Sequence, residues 1–123
     1  MSNIHESGED YLETILILHQ KQGDVRSIDI AHEMELSKPS VSRAMGILRS
    51  GGFITVDEGG YITLTDVGRE LAETIYERHC FFTEWLIDLG VSPEVAAEDA
   101  CRLEHDISAE SFAKIRDFYE KHK

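Results

Sequence analysis

Cations are scarce in this chain: 12 lysines and arginines stand against 24 aspartates and glutamates over 123 residues, a formal net charge of −12 at pH 7. That balance argues against general coating of nucleic acid and against attachment to an anionic membrane surface, although it leaves room for a local DNA-contacting face. Long hydrophobic runs are missing too. No apolar stretch reaches the ~18 residues of a membrane-spanning helix, and Met1-Ser2-Asn3-Ile4-His5-Glu6 has neither the charged nor the apolar region of a signal peptide. No membrane partner is expected, and the expected compartment is the cytoplasm. Cysteine is rare: Cys80 and Cys101 do not make a secreted disulfide framework, and a reducing compartment leaves both thiols free as ligands. Internal repeats and low-complexity tracts are absent. A chain of this length is one ordinary domain or two small ones, with little surface to spare, and such proteins often dimerise.

What is present is helical periodicity, interrupted once by a β signal. A first helix is expected from about Glu6 to Gln22, because Tyr11, Ile15 and Leu18 repeat at i, i+4, i+7 with Leu12 and Leu16 beside them, and Gly23 stops it. Asp10 and Glu13 flank that stripe on one face, a spacing that solvated helix edges also show. Ser27 is expected to cap a short helix with Ile28, Ala31 and Met34 inward. Ser37 is expected to cap a second, with Pro39 in its first turn and Val41, Ala44, Met45 and Leu48 buried. Short helix, tight turn and capped helix make a helix-turn-helix. The outward side of the second helix begins with Lys38, Ser40, Ser42 and Arg43, small hydroxyls and cations suited to phosphates and base edges, placed where the helix dipole also favours phosphate.

Two β-rich runs around Gly59-Gly60, within Phe53 to Leu64, predict a hairpin, and a helix-turn-helix followed by a hairpin is a winged helix. Between Arg26 and Gly52 the cations Arg26, Lys38, Arg43 and Arg49 meet only Asp29, Glu33 and Glu35, so this region is mildly positive in an acidic chain. Asp57 and Glu58 at the wing tip argue against tight pressing of the tip on phosphate. Thr65 opens a long helix carrying Leu71, Ala72, Ile75, Tyr76, His79, Phe82 and Leu86 to a stop at Gly90. Phe81, Phe82 and Trp85 give it more apolar surface than a small module buries, which a partner subunit would cover. Ser92 as cap and Pro93 at the first helical position start the next helix, and Ser108 starts a last one through Ile115 and Phe118. On the penultimate helix Cys101, Glu104 and His105 lie at i, i+3, i+4, so a thiol, a carboxylate and an imidazole project from one face, half of a divalent-metal site.

These pieces, taken in order, resemble the diphtheria-toxin-repressor family of metal-dependent transcriptional regulators. The resemblance rests on Ser37-x-Pro39-Ser40-Val41-Ser42, Leu64-Thr65-x-x-Gly68, Arg78-His79 and Cys101-x-x-Glu104-His105-x-x-Ser108, and it covers Glu9 to about Tyr119. It implies a mainly α fold with a small β-hairpin wing: a winged helix-turn-helix DNA-binding domain over 1–65 and a helical metal-binding and dimerisation domain over 66–123. It implies a homodimer that binds a palindromic double-stranded DNA operator when loaded with Mn2+ or Fe2+ and represses metal-uptake genes, with Co2+, Zn2+ or Cd2+ as possible substitutes. DNA contacts are expected from Ser37, Lys38, Pro39, Ser40, Ser42 and Arg43. In length the chain is similar to the two-domain manganese transport regulator branch, and it is expected to lack the SH3-like third domain of iron-responsive members.

Carried over by position, the expected metal ligands are Asp10, Glu13, His79, Cys101, Glu104 and His105. Cys101 departs from the manganese branch, which has Glu there, and matches the iron branch, which in turn has Met in place of Asp10. Two ancillary ligand positions of the iron branch fall on Thr83 and Ala97, which do not serve as ligands. Cys80 matches no role and reads as core or interface. Independently of any family, carboxylates and a thiolate brought together repel one another, and a divalent cation removes that repulsion and ties the ligand-bearing elements together. Two rivals stay open: a winged-helix regulator sensing an organic ligand or redox state through Cys80 and Cys101, and a small metalloenzyme using Glu104 as base, for which no separate substrate-pocket motif is seen.

Overall fold

In the computed structural model, which describes residues 6–123, the chain runs α1 (Glu6–Gln22), α2 (Ser27–Met34), α3 (Lys38–Ser50), β1 (Ile54–Val56), β2 (Ile62–Leu64), α4 (Asp66–Asp88), α5 (Pro93–Leu103) and α6 (Ala109–Lys121). This is the mainly α architecture with one hairpin that the periodicity predicts. Residues 1–5, most of the segment without signal-peptide character, lie outside the described residues. The chain divides into two units, one ending at Glu73 and the other spanning Thr74–Lys123, with the division inside α4. No helix among the described residues is long and apolar enough to cross a membrane.

The first unit is built on α1, whose Tyr11, Leu12, Ile15, Leu16 and Leu18 are all buried. Each such side chain contributes about 1.5–3 kcal/mol when fully removed from water. The start of α2 corrects the expected cap. Arg26, not Ser27, is the N-cap residue, because the Asp29 carboxylate folds back to accept the Arg26 backbone N–H at 2.9 Å. A guanidinium has no acceptor to offer in return, so only half of a reciprocal cap forms. Ile30 and Ala31 are the buried residues of α2, while Ile28 and Met34 are only half-buried. Ser37 does cap α3, accepting the Ser40 N–H at 3.3 Å, and Val41, Met45 and Leu48 form its inner face.

The wing pairs Ile54 with Leu64, Thr55 with Thr63 and Val56 with Ile62, antiparallel. Its turn is organised by Asp57, whose Oδ1 accepts the N–H groups of Gly59 and Tyr61, both at 2.9 Å. That carboxylate is therefore a structural element of the turn as well as a negative charge at the tip. Leu64-Thr65-x-x-Gly68 acquires a physical reason here. The Thr65 hydroxyl donates to the Gly52 carbonyl at 2.7 Å and accepts the Gly68 N–H at 3.1 Å, capping α4 and tying it to the start of the wing. At Gly68 a Cβ would sit 2.0 Å from the Phe53 carbonyl oxygen, so only glycine lets the backbones approach this closely.

In the second unit Phe82, Ala100 and Phe112 are buried together, with Phe81, Trp85 and Ile107 packed around them. Phe81 meets Phe112 edge-on at 5.4 Å between centroids, a favoured aromatic geometry. Part of the aromatic surplus expected on α4 is thus consumed inside the unit. Ile87, Leu89, Val95, Leu103 and Phe118 remain exposed. Phe112 is the buried residue of α6. Two expectations are corrected: the Ser92 hydroxyl makes no cap hydrogen bond, and its carbonyl alone starts α5 by accepting the Ala96 N–H at 2.8 Å; and Cys80 is exposed and so is not core.

Candidate metal centre and recognition helix

Within the first unit, the α3 N-terminus presents the residues expected to meet DNA. Lys38, Pro39, Ser42 and Arg43 are exposed and Ser40 is half-buried. Ser37 is committed to the cap, and its hydroxyl also donates to Ser40 Oγ at 2.9 Å. Among the described residues neither Lys38 nor Arg43 has an ion-pair partner, which leaves both cations available to phosphate or base edges. The sequence reading gave Arg26 no DNA role and missed its neighbour. The guanidinium lies 4.3 Å from the centroid of the Tyr61 ring at the foot of β2.

Asp10 and Glu13 sit on α1 in this same unit. They are not a solvated edge: Glu13 is buried, at 7 % exposed, and Asp10 is half-buried. The Asp10 carbonyl accepts the Thr14 hydroxyl at 2.9 Å, leaving the carboxylate separate from that bond. Burial of an acid is costly unless it is compensated.

The second unit gathers the other four expected ligands. His79 comes from α4, where the Thr83 hydroxyl donates to its carbonyl at 2.8 Å. Cys101 lies in the last turn of α5. That helix ends at Leu103, shorter than expected, yet Glu104 keeps helical angles and a helical bond to the Ala100 carbonyl at 3.0 Å. Cys101 and Glu104 therefore share a face by helical spacing, whereas His105 belongs to the turn that follows. Glu104 is the centre of the group and is wholly buried, at 0 % exposed. Its Oε1 lies 2.8 Å from His79 Nδ1, and its Oε2 lies 3.5 Å from Nε2 of His105, a side chain only 2 % exposed. The Cys101 thiol faces the same point, with Sγ 3.8 Å from His79 Nδ1, rather than packing as an apolar side chain.

Donor atoms of His79, Cys101 and Glu104 all lie within 4.8 Å of one another. A divalent ion with bonds of ~2.0–2.3 Å needs donors spaced at about this scale. A second observation points the same way. Glu104 Oε2 is buried and accepts no hydrogen bond among the described residues; the His105 imidazole at 3.5 Å is a contact and not a bond. An unmet buried oxygen costs about 1–3 kcal/mol, more if charged, and a cation is the partner this donor set fits.

The sequence matches two family descriptions end to end: the iron dependent repressor N-terminal DNA binding domain over residues 3–61, and the iron dependent repressor metal binding and dimerisation domain over residues 65–123. It is 36 % identical over 114 residues to the transcriptional regulator MntR of Escherichia coli O6:H1, covering 93 % of this chain and 74 % of that protein. The chain belongs to the iron-dependent repressor family. Members of this family are metal-dependent, DNA-binding transcriptional regulators, and the cluster on α4 and α5 falls in the family's metal-binding domain. Among solved family structures, the manganese regulator SloR superposes with a TM-score of 0.82 at 27 % identity, over 92 % of this chain and 53 % of that one. A manganese-dependent transcriptional repressor in complex with manganese superposes with a TM-score of 0.77 at 29 % identity, over 88 % of this chain and 50 % of that one. The chain thus spans about half the length of these solved structures.

Proposed function

We propose that this chain is a repressor of metal-uptake genes that, as a homodimer loaded with Mn2+ or Fe2+, binds a palindromic operator in the cytoplasm. The observation that carries this reading is the buried Glu104 carboxylate, flanked by two imidazoles and a thiol. Asp10, Glu13, His79, Cys101, Glu104 and His105 are the proposed ligands. The first two rest on their position in the family pattern and on their burial in α1. Bound there, a divalent cation supplies positive charge that offsets the carboxylates and the thiolate. Because α1 belongs to the DNA-reading unit and the other ligands to the dimerisation unit, ligation by both sets favours one conformation of the dimer. Coupling then follows from the different metal affinities of the conformations. Ser42 and Arg43 read the major groove, while Lys38 and the α3 N-terminus hold phosphate; the Ser37 cap and Pro39 shape that N-terminus.

The metal is set by opposing preferences. Asp10, Glu13 and Glu104 are hard donors suited to Mn2+, and the manganese complex of a relative supports that ion. Cys101 pulls toward Fe2+ and the substitutes Co2+, Zn2+ and Cd2+. No catalytic role is proposed: Glu104 is shut off from solvent and so is badly placed to act as base on a diffusing substrate. The test is selection of a random duplex DNA pool on the purified protein with Mn2+ and with EDTA. Enrichment of an inverted repeat with Mn2+ alone supports the reading, and equal enrichment in EDTA removes metal dependence.

A further inference from the structure

Arg78 stands one residue before His79 on α4, and its guanidinium turns toward the segment that carries Glu104 and His105. Its Nη1 donates to the Glu104 carbonyl at 3.2 Å and to the Ile107 carbonyl at 2.9 Å. The Glu104 carbonyl lies at the end of α5, where a helix leaves its last backbone oxygens without intrahelical donors, and the Ile107 carbonyl lies just before Ser108, the N-cap of α6. One nitrogen with two hydrogens therefore holds both ends of the turn 104–107, and its helix carries His79 on the next residue. The guanidinium also lies 5.5 Å from the centroid of the Phe112 ring, which fixes its plane from the core side.

We propose that Arg78 is a positioning residue of the metal centre: by pinning the Glu104 and Ile107 carbonyls it sets the turn that displays the Glu104 carboxylate and the His105 imidazole, in register with His79. The inference rests on the metal-binding reading above. Ligands need outer partners to hold them in bonding geometry, and loss of such a partner typically weakens metal binding about 10–100-fold. Arg116 is the built-in control. Its guanidinium lies 5.1 Å from the same Phe112 centroid and pairs with Glu77 at 2.9 Å, with no hydrogen bond to the turn.

The experiment is a Co2+ titration of the full chain, followed by ligand-field and thiolate-to-Co2+ absorption, on wild type, Arg78→Met, Arg78→Lys and Arg116→Met. Circular dichroism and thermal melting report folding. Arg78→Met is expected to raise the Co2+ Kd about 10–100-fold and to alter the ligand-field bands. Arg78→Lys, which keeps charge and a donor but loses the rigid fork, should fall between it and wild type, and Arg116→Met should match wild type. Should Arg78→Met fail to fold, the Arg78→Lys comparison carries the test. Wild-type affinity and an unchanged spectrum in the folded Arg78 variants would overturn the proposal, as would an equal loss in Arg116→Met. Absence of Co2+ binding by wild type would instead overturn the metal-binding reading beneath it.

Discussion

The unit that ends at Glu73 answers its helix starts and its wing turn from within: Ser37 caps α3, Thr65 caps α4, Asp57 closes the wing turn, and Asp29 satisfies the start of α2. The unit from Thr74 onward leaves one demand unanswered: it buries the Glu104 carboxylate with one oxygen unmet among the described residues. A half that reads DNA has to be rigid and ready, because its contacts are positional. Sensing needs free energy that changes when something binds, and an electrostatically incomplete half stores it. Regulation in this family member is therefore expected to reside in the second unit.

The largest expected effect strikes the self-sufficient half. Gly68→Ala puts a Cβ into the Phe53 carbonyl, and a clash with backbone rather than a flexible side chain should cost about 3 kcal/mol or more, read as a lower urea midpoint with or without metal. Glu104→Gln tests the other half and should have two effects of opposite sign. Metal affinity falls about 100-fold or more, ~2.7 kcal/mol, while metal-free stability holds or rises because a buried charge has been removed. Calorimetry and denaturant melts on one sample read both, and a parallel loss of metal-free stability would contradict the claim that the site is strained without its cation. Arg43→Ala should weaken operator binding by about 1–3 kcal/mol if it reads a base and leave metal binding intact, separating the halves by function.

The smallest effect concerns the end of α6. The hydrogen bond from the Tyr119 hydroxyl to the Asp88 carboxylate, with the Glu84 charge nearby, holds its ionisation well above the ordinary tyrosine value of 10.0. The folded state thus holds this proton more tightly than the unfolded chain. The resulting stability is present below about pH 10 and is lost as pH rises beyond it. Tyrosinate absorbance should show Tyr119 ionising late, and Asp88→Asn should move that ionisation to lower pH.

The architecture was legible because apolar spacing and Gly-Gly punctuation are local signals, and α1, α3, the wing and α4 follow them. Caps were legible where the hydroxyl is the nearest acceptor, as at Ser37 and Ser108. They failed at Ser27, where Asp29 competes, and at Ser92, where the carbonyl bonds the helix but the hydroxyl does not. Which aromatic fills the second core, Phe112 and not Phe118, depends on how α6 rotates against α4, and both lie on an apolar stripe in one dimension. Four of the expected ligands, His79, Cys101, Glu104 and His105, came from spacing and family pattern. Arg78 was visible as part of the Arg78-His79 motif, but its role was not, because its partners are backbone carbonyls that no side-chain motif records.

Operator binding titrated with Mn2+ tests the central claim most directly. Fluorescence anisotropy of the selected duplex, at fixed salt, would compare wild type with Glu104→Gln, beginning in EDTA. Wild type should bind weakly in EDTA and tighten by orders of magnitude as Mn2+ is added, while Glu104→Gln stays weak across the same range. Tight wild-type binding in EDTA, unchanged by Mn2+, would contradict the account.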